Sequence, residues 1–215
     1  MPKPALLTAV LAGLVFSGRL AAQGTSTGCP EIYATPKLGD YAELRIAEKT
    51  GVVSVRFAIV GVEEVEGRTH YWMEVLQTPP GAGWSVIAQI LIPHFPFEQH
   101  EIKGYVVKTP DQPAVRVPLE MLEMMGGEAA SSASWREACQ TADYLGVERV
   151  AVPAGTISAR HYRGAMGDLW LADVPFGTVK AAEPDMVTEL VRYGRDAKSS
   201  ITEKPQQLEM PPGPG

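Results

Sequence analysis

The chain has 215 residues, 19 of them Lys or Arg against 25 Asp or Glu, a formal net charge of −6. A negative chain without a basic cluster is a poor partner for nucleic acid or an anionic membrane, and both are excluded as expected ligands. No asparagine occurs anywhere, so no N-linked glycosylation site exists.

The first segment reads as a signal peptide over residues 1–22. Lys3 supplies the basic start, an uncharged apolar run follows from Pro4 to Gly18, and Leu20-Ala21-Ala22 ends it in small residues. The run is shorter than the roughly 20 residues that span a bilayer. Cleavage after Ala22 is expected, leaving a protein that does not span the membrane, in the periplasm or secreted. The net charge moves from −6 to −8, because Lys3 and Arg19 leave with the signal. Cys29 stands well beyond the apolar run, where lipid modification is not expected. Cys29 and Cys139 are the two cysteines. Far apart in an oxidising compartment, they are expected to pair as a disulfide rather than to hold a metal.

Residues 23–37 form an extended lead-in, small and polar with Pro30 and Pro36. Three strands then alternate: Tyr41–Lys49, Val52–Val62 and Arg68–Leu76, with turn signals at Thr50-Gly51 and Glu66-Gly67. Trp84–Ile92 is apolar apart from Ser85 and Gln89, and its pattern fits a buried strand or a short helix equally. Glu101–Lys108 reads as a strand and Ala114–Val117 as a short extended piece. Pro118 can open a helix over Leu119–Met125, stopped by Gly126-Gly127. Five more strands are expected at 146–152, 156–163, 168–172, 178–182 and 186–193, separated by Pro- and Gly-containing turns. The tail over 195–215 is polar, ends in Pro and Gly, and is expected to lack ordered structure. The main domain therefore spans 38–194. It is expected to be mostly β, a curved antiparallel sheet (half-barrel) with one or two short helices on its concave face.

Side chains for catalysis are scarce. No nucleophile elbow, zinc helix, phosphate loop or dinucleotide fingerprint is present, so no enzymatic activity, cofactor or metal is expected. His94 and His100 flank an irregular stretch with Glu98 and Glu101. That could gather a metal for a hydrolase, but a solvated loop is the simpler reading. His161, beside Tyr162, reads as a hydrogen-bonded structural histidine. Methionines are the more unusual feature. Met121, Met124 and Met125 crowd one short helix and Met73 lies on a strand, and such pliable side chains suit irregular apolar ligands as well as core filling. Met73, Leu91, Met121, Leu122, Met125 and Trp170 are the candidate walls of an apolar cavity.

The stretch Val150-Ala-Val-Pro-Ala-Gly-Thr156, His161-Tyr-Arg163, Leu169-Trp-Leu171 and Val174-Pro-Phe-Gly-Thr-Val-Lys180 resembles exported bacterial proteins of the LolA/LolB-like superfamily, which includes lipoprotein carriers. These motifs are turns and packing residues, and they speak to fold more than activity. The resemblance implies a half-barrel closed by helices over an apolar cavity, and a lipid, acyl chain or lipoprotein as ligand. The chain departs from a carrier in having one clear helix, Leu119–Met125. The expected function is thus an exported, non-enzymatic protein binding an apolar ligand. The alternative is an envelope scaffold with a packed interior that binds another envelope protein.

Overall fold

In a computed structural model of the chain, the structure describes residues 37–124, 139 and 141–208. The signal segment, most of the lead-in, Cys29 and Met125 lie outside the described residues. The strands are β1 (Tyr41–Glu48), β2 (Gly51–Val65), β3 (Arg68–Thr78), β4 (Val86–Ile92), β5 (Gly104–Lys108), β6 (Val115–Arg116), β7 (Asp143–Val152), β8 (Gly155–Gly164), β9 (Gly167–Leu171), β10 (Thr178–Glu183), β11 (Met186–Gly194) and β12 (Gln206–Gln207). The helical pieces among the described residues are α1 (Leu119–Met124), a 3-10 turn over Gln99–Glu101, and the helical residue Cys139. The protein is mostly β, as its alternating sequence predicts.

All twelve strands join one open sheet in the order β12-β6-β5-β4-β3-β2-β1-β11-β10-β9-β8-β7. Two antiparallel meanders, β1–β6 and β7–β11, meet where β1 pairs with β11. The hairpins follow from their turn residues. Glu66 and Gly67 both take positive φ (53° and 74°), the pair that a two-residue turn between right-twisted strands requires. The ambiguous segment before Pro93 is a strand, β4, pairing with β3 and β5.

Register assigns side chains to two faces. The inner face carries Leu44, Val55, Phe57, Ile59, Met73 and Ile90, which pair across β1 to β4. The outer face carries Arg45, Arg56, Glu74, Gln89 and Lys108. The second meander curls towards the first: the β7–β8 turn donates Ala154 N–H to the Leu190 carbonyl of β11 (3.0 Å). Val152, Ala154 and Ile157 thereby pack against Ala42, Leu44 and Leu190.

The tail departs from expectation. Residues 195–208 form a strap across the outer face, and only residues beyond 208 lie outside the described part. The strap leaves β11 with Ala197 N–H bonded to the Gly39 carbonyl (3.0 Å) and ends with β12 beside β6 in parallel. Glycine is required at position 39, where φ is +91° and a Cβ would sit 2.5 Å from the Arg195 carbonyl oxygen. Its middle is tied to Glu74, which is 0% exposed. That carboxylate accepts from Ser200 N–H (2.8 Å), Ser200 Oγ (2.7 Å) and Gln89 Nε2 (2.9 Å). Three donors compensate the loss of water that a buried carboxylate suffers. Ile201 seals the arrangement against Val106 and Ala114. A polar segment thus orders by hydrogen bonding to buried groups of distant strands, which composition does not reveal.

Lys108 donates to Glu203 near the strap's end. This bond, with the Glu203 and Ala114 backbone N–H groups, lowers the Glu203 carboxyl from 4.5 to about 2. A folded value below the unfolded one gives stabilisation that is complete above about pH 4.5 and lost as pH falls towards about 2. Hydrogen exchange of the Gln206 and Leu208 amides, corrected for intrinsic rates, should therefore hold steady from neutral pH down to that window and lose protection within it. Glu203→Gln should show the loosened strap at neutral pH already. Steady protection through the window would show that this ion pair does not hold the strap.

Candidate functional site

The inner face beneath α1 is the candidate site, because two of the expected cavity walls, Met73 and Leu122, meet there. Its floor is Ile59, Met73, Ile90 and Ile92, contributed by β2, β3 and β4. Pro118 precedes α1, and its carbonyl accepts the first helical bonds from Met121 and Leu122 N–H (3.1 and 3.3 Å). One turn later Leu119 and Leu122 point into the same cluster. The connection between β4 and β5 adds Phe95, Phe97 and Ile102. Phe176, from the β9–β10 turn, completes the cover.

The phenylalanines pack on one another beneath α1. Phe95 meets Phe176 edge-on at 5.4 Å between ring centres, Phe57 meets Phe176 at 5.7 Å, and Phe95 meets Phe97 at 6.4 Å. These are the favoured tilted and T-shaped arrangements. Met73 is 3% and Leu122 8% exposed, so both are core residues packed on rings. Around them Phe57, Tyr71, Val75 and Tyr105 remain half-buried. Burial pushes the Tyr105 phenol up from its ordinary value.

The expected walls do not all come together. Met73 and Leu122 share the cluster, and Met121 is half-buried on the same helix. Leu91 is buried but pairs with Trp72 on the outer face, opposite to Met73. A one-residue difference along a strand reverses the face, and a continuously apolar strand hides that parity. Trp170 belongs to a separate cluster with Val150, Ala159 and Val179. Its indole N–H donates to Glu148, and its ring stacks on His161 at 4.4 Å. Met125 lies outside the described residues.

The histidine-containing segments resolve into pairs. His94 Nε2 lies 3.1 Å from Glu101 and His100 Nδ1 lies 3.4 Å from Glu98. Burial raises the Glu101 carboxyl, but the Glu98 N–H together with His94 and His100 outweighs it and holds it low. These contacts brace the 3-10 turn. Among the described residues, no group of three or more His, Cys, Asp or Glu side chains is placed to hold a metal. His161 bridges Asp168 (2.6 Å) and Glu148 (3.2 Å), tying β7, β8 and β9. Arg163, bonded to Asp168, holds that carboxyl low against the effect of burial, and His161 adds to it. Sequence reasoning missed Glu74 and the strap it anchors. The available signals were Glu74 sharing a face with Trp72 and Leu76, and Gln89 inside an apolar run.

No protein-family profile matches the chain, and no curated protein matches it. Two solved structures show a distant similarity to the chain. A "putative lipoprotein" of Parabacteroides distasonis is 10% identical with a TM-score of 0.35, the match covering 75% of this chain and 98% of that one. A "putative exported protein with YmcC-like fold" of Bacteroides fragilis is 9% identical with a TM-score of 0.31, with the same two coverages. Similarity at this level carries no argument about fold or function.

Phe176 supports a sharp stability test. It has φ of 62°, a left-handed conformation that costs an L-residue about 1–2 kcal/mol, and its ring contacts offset that strain. Phe176→Ala should lower the unfolding free energy by about 3 kcal/mol in urea titration, since it removes a packed ring and keeps the strain. Phe176→Gly should be no less stable than Phe176→Ala, reversing the usual order of these two residues. A glycine variant clearly weaker than the alanine one would refute the strained anchor.

Proposed function

We propose that the protein is an exported, non-enzymatic envelope protein whose inner face is closed by its own side chains and which works through its surface, as a scaffold or interaction module. The observation that carries this reading is the burial of Met73 and Leu122 among Phe95, Phe97 and Phe176. Side chains so buried among rings have little surface to offer an acyl chain, which supports a packed interior. Export to the periplasm or beyond is supported by the basic start, apolar run and small residues of positions 1–22. No helix among the described residues is long and apolar enough to cross a membrane. The exposed apolar side chains Tyr144, Leu145 and Val147 on the edge strand β7 support a surface role.

A second reading, an acyl or lipoprotein lipid bound under α1, is favoured by one observation. Phe57, Tyr71, Val75 and Tyr105 are half-buried apolar side chains against the cluster, and Met121 on α1 is half-buried as well. A fluorescent fatty-acid analogue offered to delipidated protein separates the two. The packed reading predicts no saturable binding at micromolar concentration and a loss of about 2–4 kcal/mol of stability in Leu122→Ala. Saturable binding that Met121→Glu abolishes and Glu120→Gln leaves intact would establish the lipid reading instead.

Export also supports a Cys29–Cys139 bridge. Cys139 is buried, 7% exposed, in a cluster with Ala142, Tyr162 and Leu171, and no free cysteine occurs among the described residues. Labelling natively exported protein with a thiol reagent in denaturant should find none. Two labelled thiols would exclude the bridge.

A further inference from the structure

The outer face holds a cleft of about 330 Å³ where the strap leaves the sheet, lined by Tyr41, Arg56, Arg192, Asp196, Ala197 and Lys198. Its volume falls within the usual range of small-ligand sites, about 300–1,000 Å³. Three of the six lining residues are cationic, in a chain whose net charge is negative.

Arg56 is the group that gives the cleft its chemistry. Its side chain is 23% exposed, and its guanidinium carbon lies 5.8 Å from the centre of the Tyr41 ring. Tyr41 is fixed in turn against Gly194, where a Cβ would meet the ring at 2.7 Å. Among the described residues Arg56 makes one hydrogen bond, from Nη2 to the Lys198 carbonyl at a long 3.3 Å. Its nearest carboxylate oxygen, on Glu74, is 3.9 Å away and already accepts from Ser200 Oγ. A guanidinium carries five N–H donors in a planar fork suited to a carboxylate. Here the fork is positioned by packing and has only these long contacts. Lys198 adds a second cation from the strap side, with no ion-pair partner among the described residues. Arg192 is engaged by Glu43 at 2.5 Å, which raises its pKa and leaves it a supporting charge at the rim.

Opposing charges decide the class of ligand. Asp196 lines the same cleft, Glu43 neutralises Arg192, and Glu74 lies beneath Arg56. These three carboxylates balance the three cations, so a dianion such as phosphate would meet more repulsion than a monoanion with a neutral body. We propose that this cleft binds a small monocarboxylate, its two oxygens taken by Arg56 and Lys198, bridging the sheet and the root of the strap. The site is independent of the inner face.

The test is a titration of the isotope-labelled mature protein with sodium butanoate, followed by amide chemical shifts at constant ionic strength and pH. Parallel titrations use sodium chloride and sodium phosphate. Ala197 and Lys198 amides should shift and saturate at millimolar butanoate. Affinity should fall at least about tenfold in Arg56→Gln and about threefold in Lys198→Gln, as expected for loss of charge-assisted bonds, and stay unchanged in Glu120→Gln. Shifts that never saturate, that chloride reproduces, or that survive Arg56→Gln would overturn the proposal. Tighter binding of phosphate than of butanoate would overturn the choice of a monoanion. Should Arg56→Gln fail to fold, the exposed substitution Lys198→Gln decides: unchanged butanoate affinity there refutes the site.

Discussion

The pairing of β1 with β11 is the contact on which the architecture depends. It joins strands from opposite ends of the domain and converts two local meanders into one sheet. Its register is fixed from both faces. Leu44 lies opposite Leu190 on the inner face, while Arg45 meets Glu189 and Glu43 meets Arg192 on the outer one. A slip of one residue would place charges in the core and leucines in water, a strong penalty for any other register. Arg45 is also the first cause of the lowered Glu189 carboxyl, which Lys180 lowers further. Two consequences follow from this seam. Phe176 is brought over Phe57 and Phe95, and the strap is launched beside Gly39 on the outer face.

The two faces then solve different problems. On the inner face apolar side chains from strands, loop, turn and α1 meet in clusters that share Phe57 and Phe176. On the outer face a carboxylate is buried at Glu74, and only the strap makes that tolerable. Ser200 supplies two of its three close donors, so strap and sheet depend on one another. Losing the Ser200 donors with the strap still in place would leave a buried charge short of partners, which is generally costlier than never having formed the network. The strap also covers the β6 edge with the two-residue β12, so the sheet ends in β12 on one side and β7 on the other. A bulge beside Gly146 and the charges of Glu148 and Arg149 interrupt the regularity of β7, a common means of discouraging edge pairing.

Much of the strand pattern was legible because alternation and turn chemistry are local. Val53, Val55 and Phe57 alternate with Ser54 and Arg56, and the structure places the two sets on opposite faces. The short helix followed from Pro118 and the Leu/Met run. What escaped was non-local. The segment 195–208 looks unstructured on composition, yet Ser199, Ser200 and Glu203 find partners on β3, β4 and β5. The expected cavity walls were legible as apolar and not as neighbours: Leu91 and Trp170 point elsewhere because face parity and curl decide which apolar residues meet. The cationic cleft draws on β1, β2, β11 and the strap, segments whose adjacency no sequence window contains.

On the proposed reading the inner face is filled by the protein's own side chains. A carrier keeps apolar surface available for its cargo, whereas burial here commits that surface to folding. Native mass spectrometry of the protein purified from its own envelope under gentle conditions tests this most directly. A packed interior predicts the bare mass of the processed polypeptide. A co-purifying acyl lipid in stoichiometric amount would contradict it.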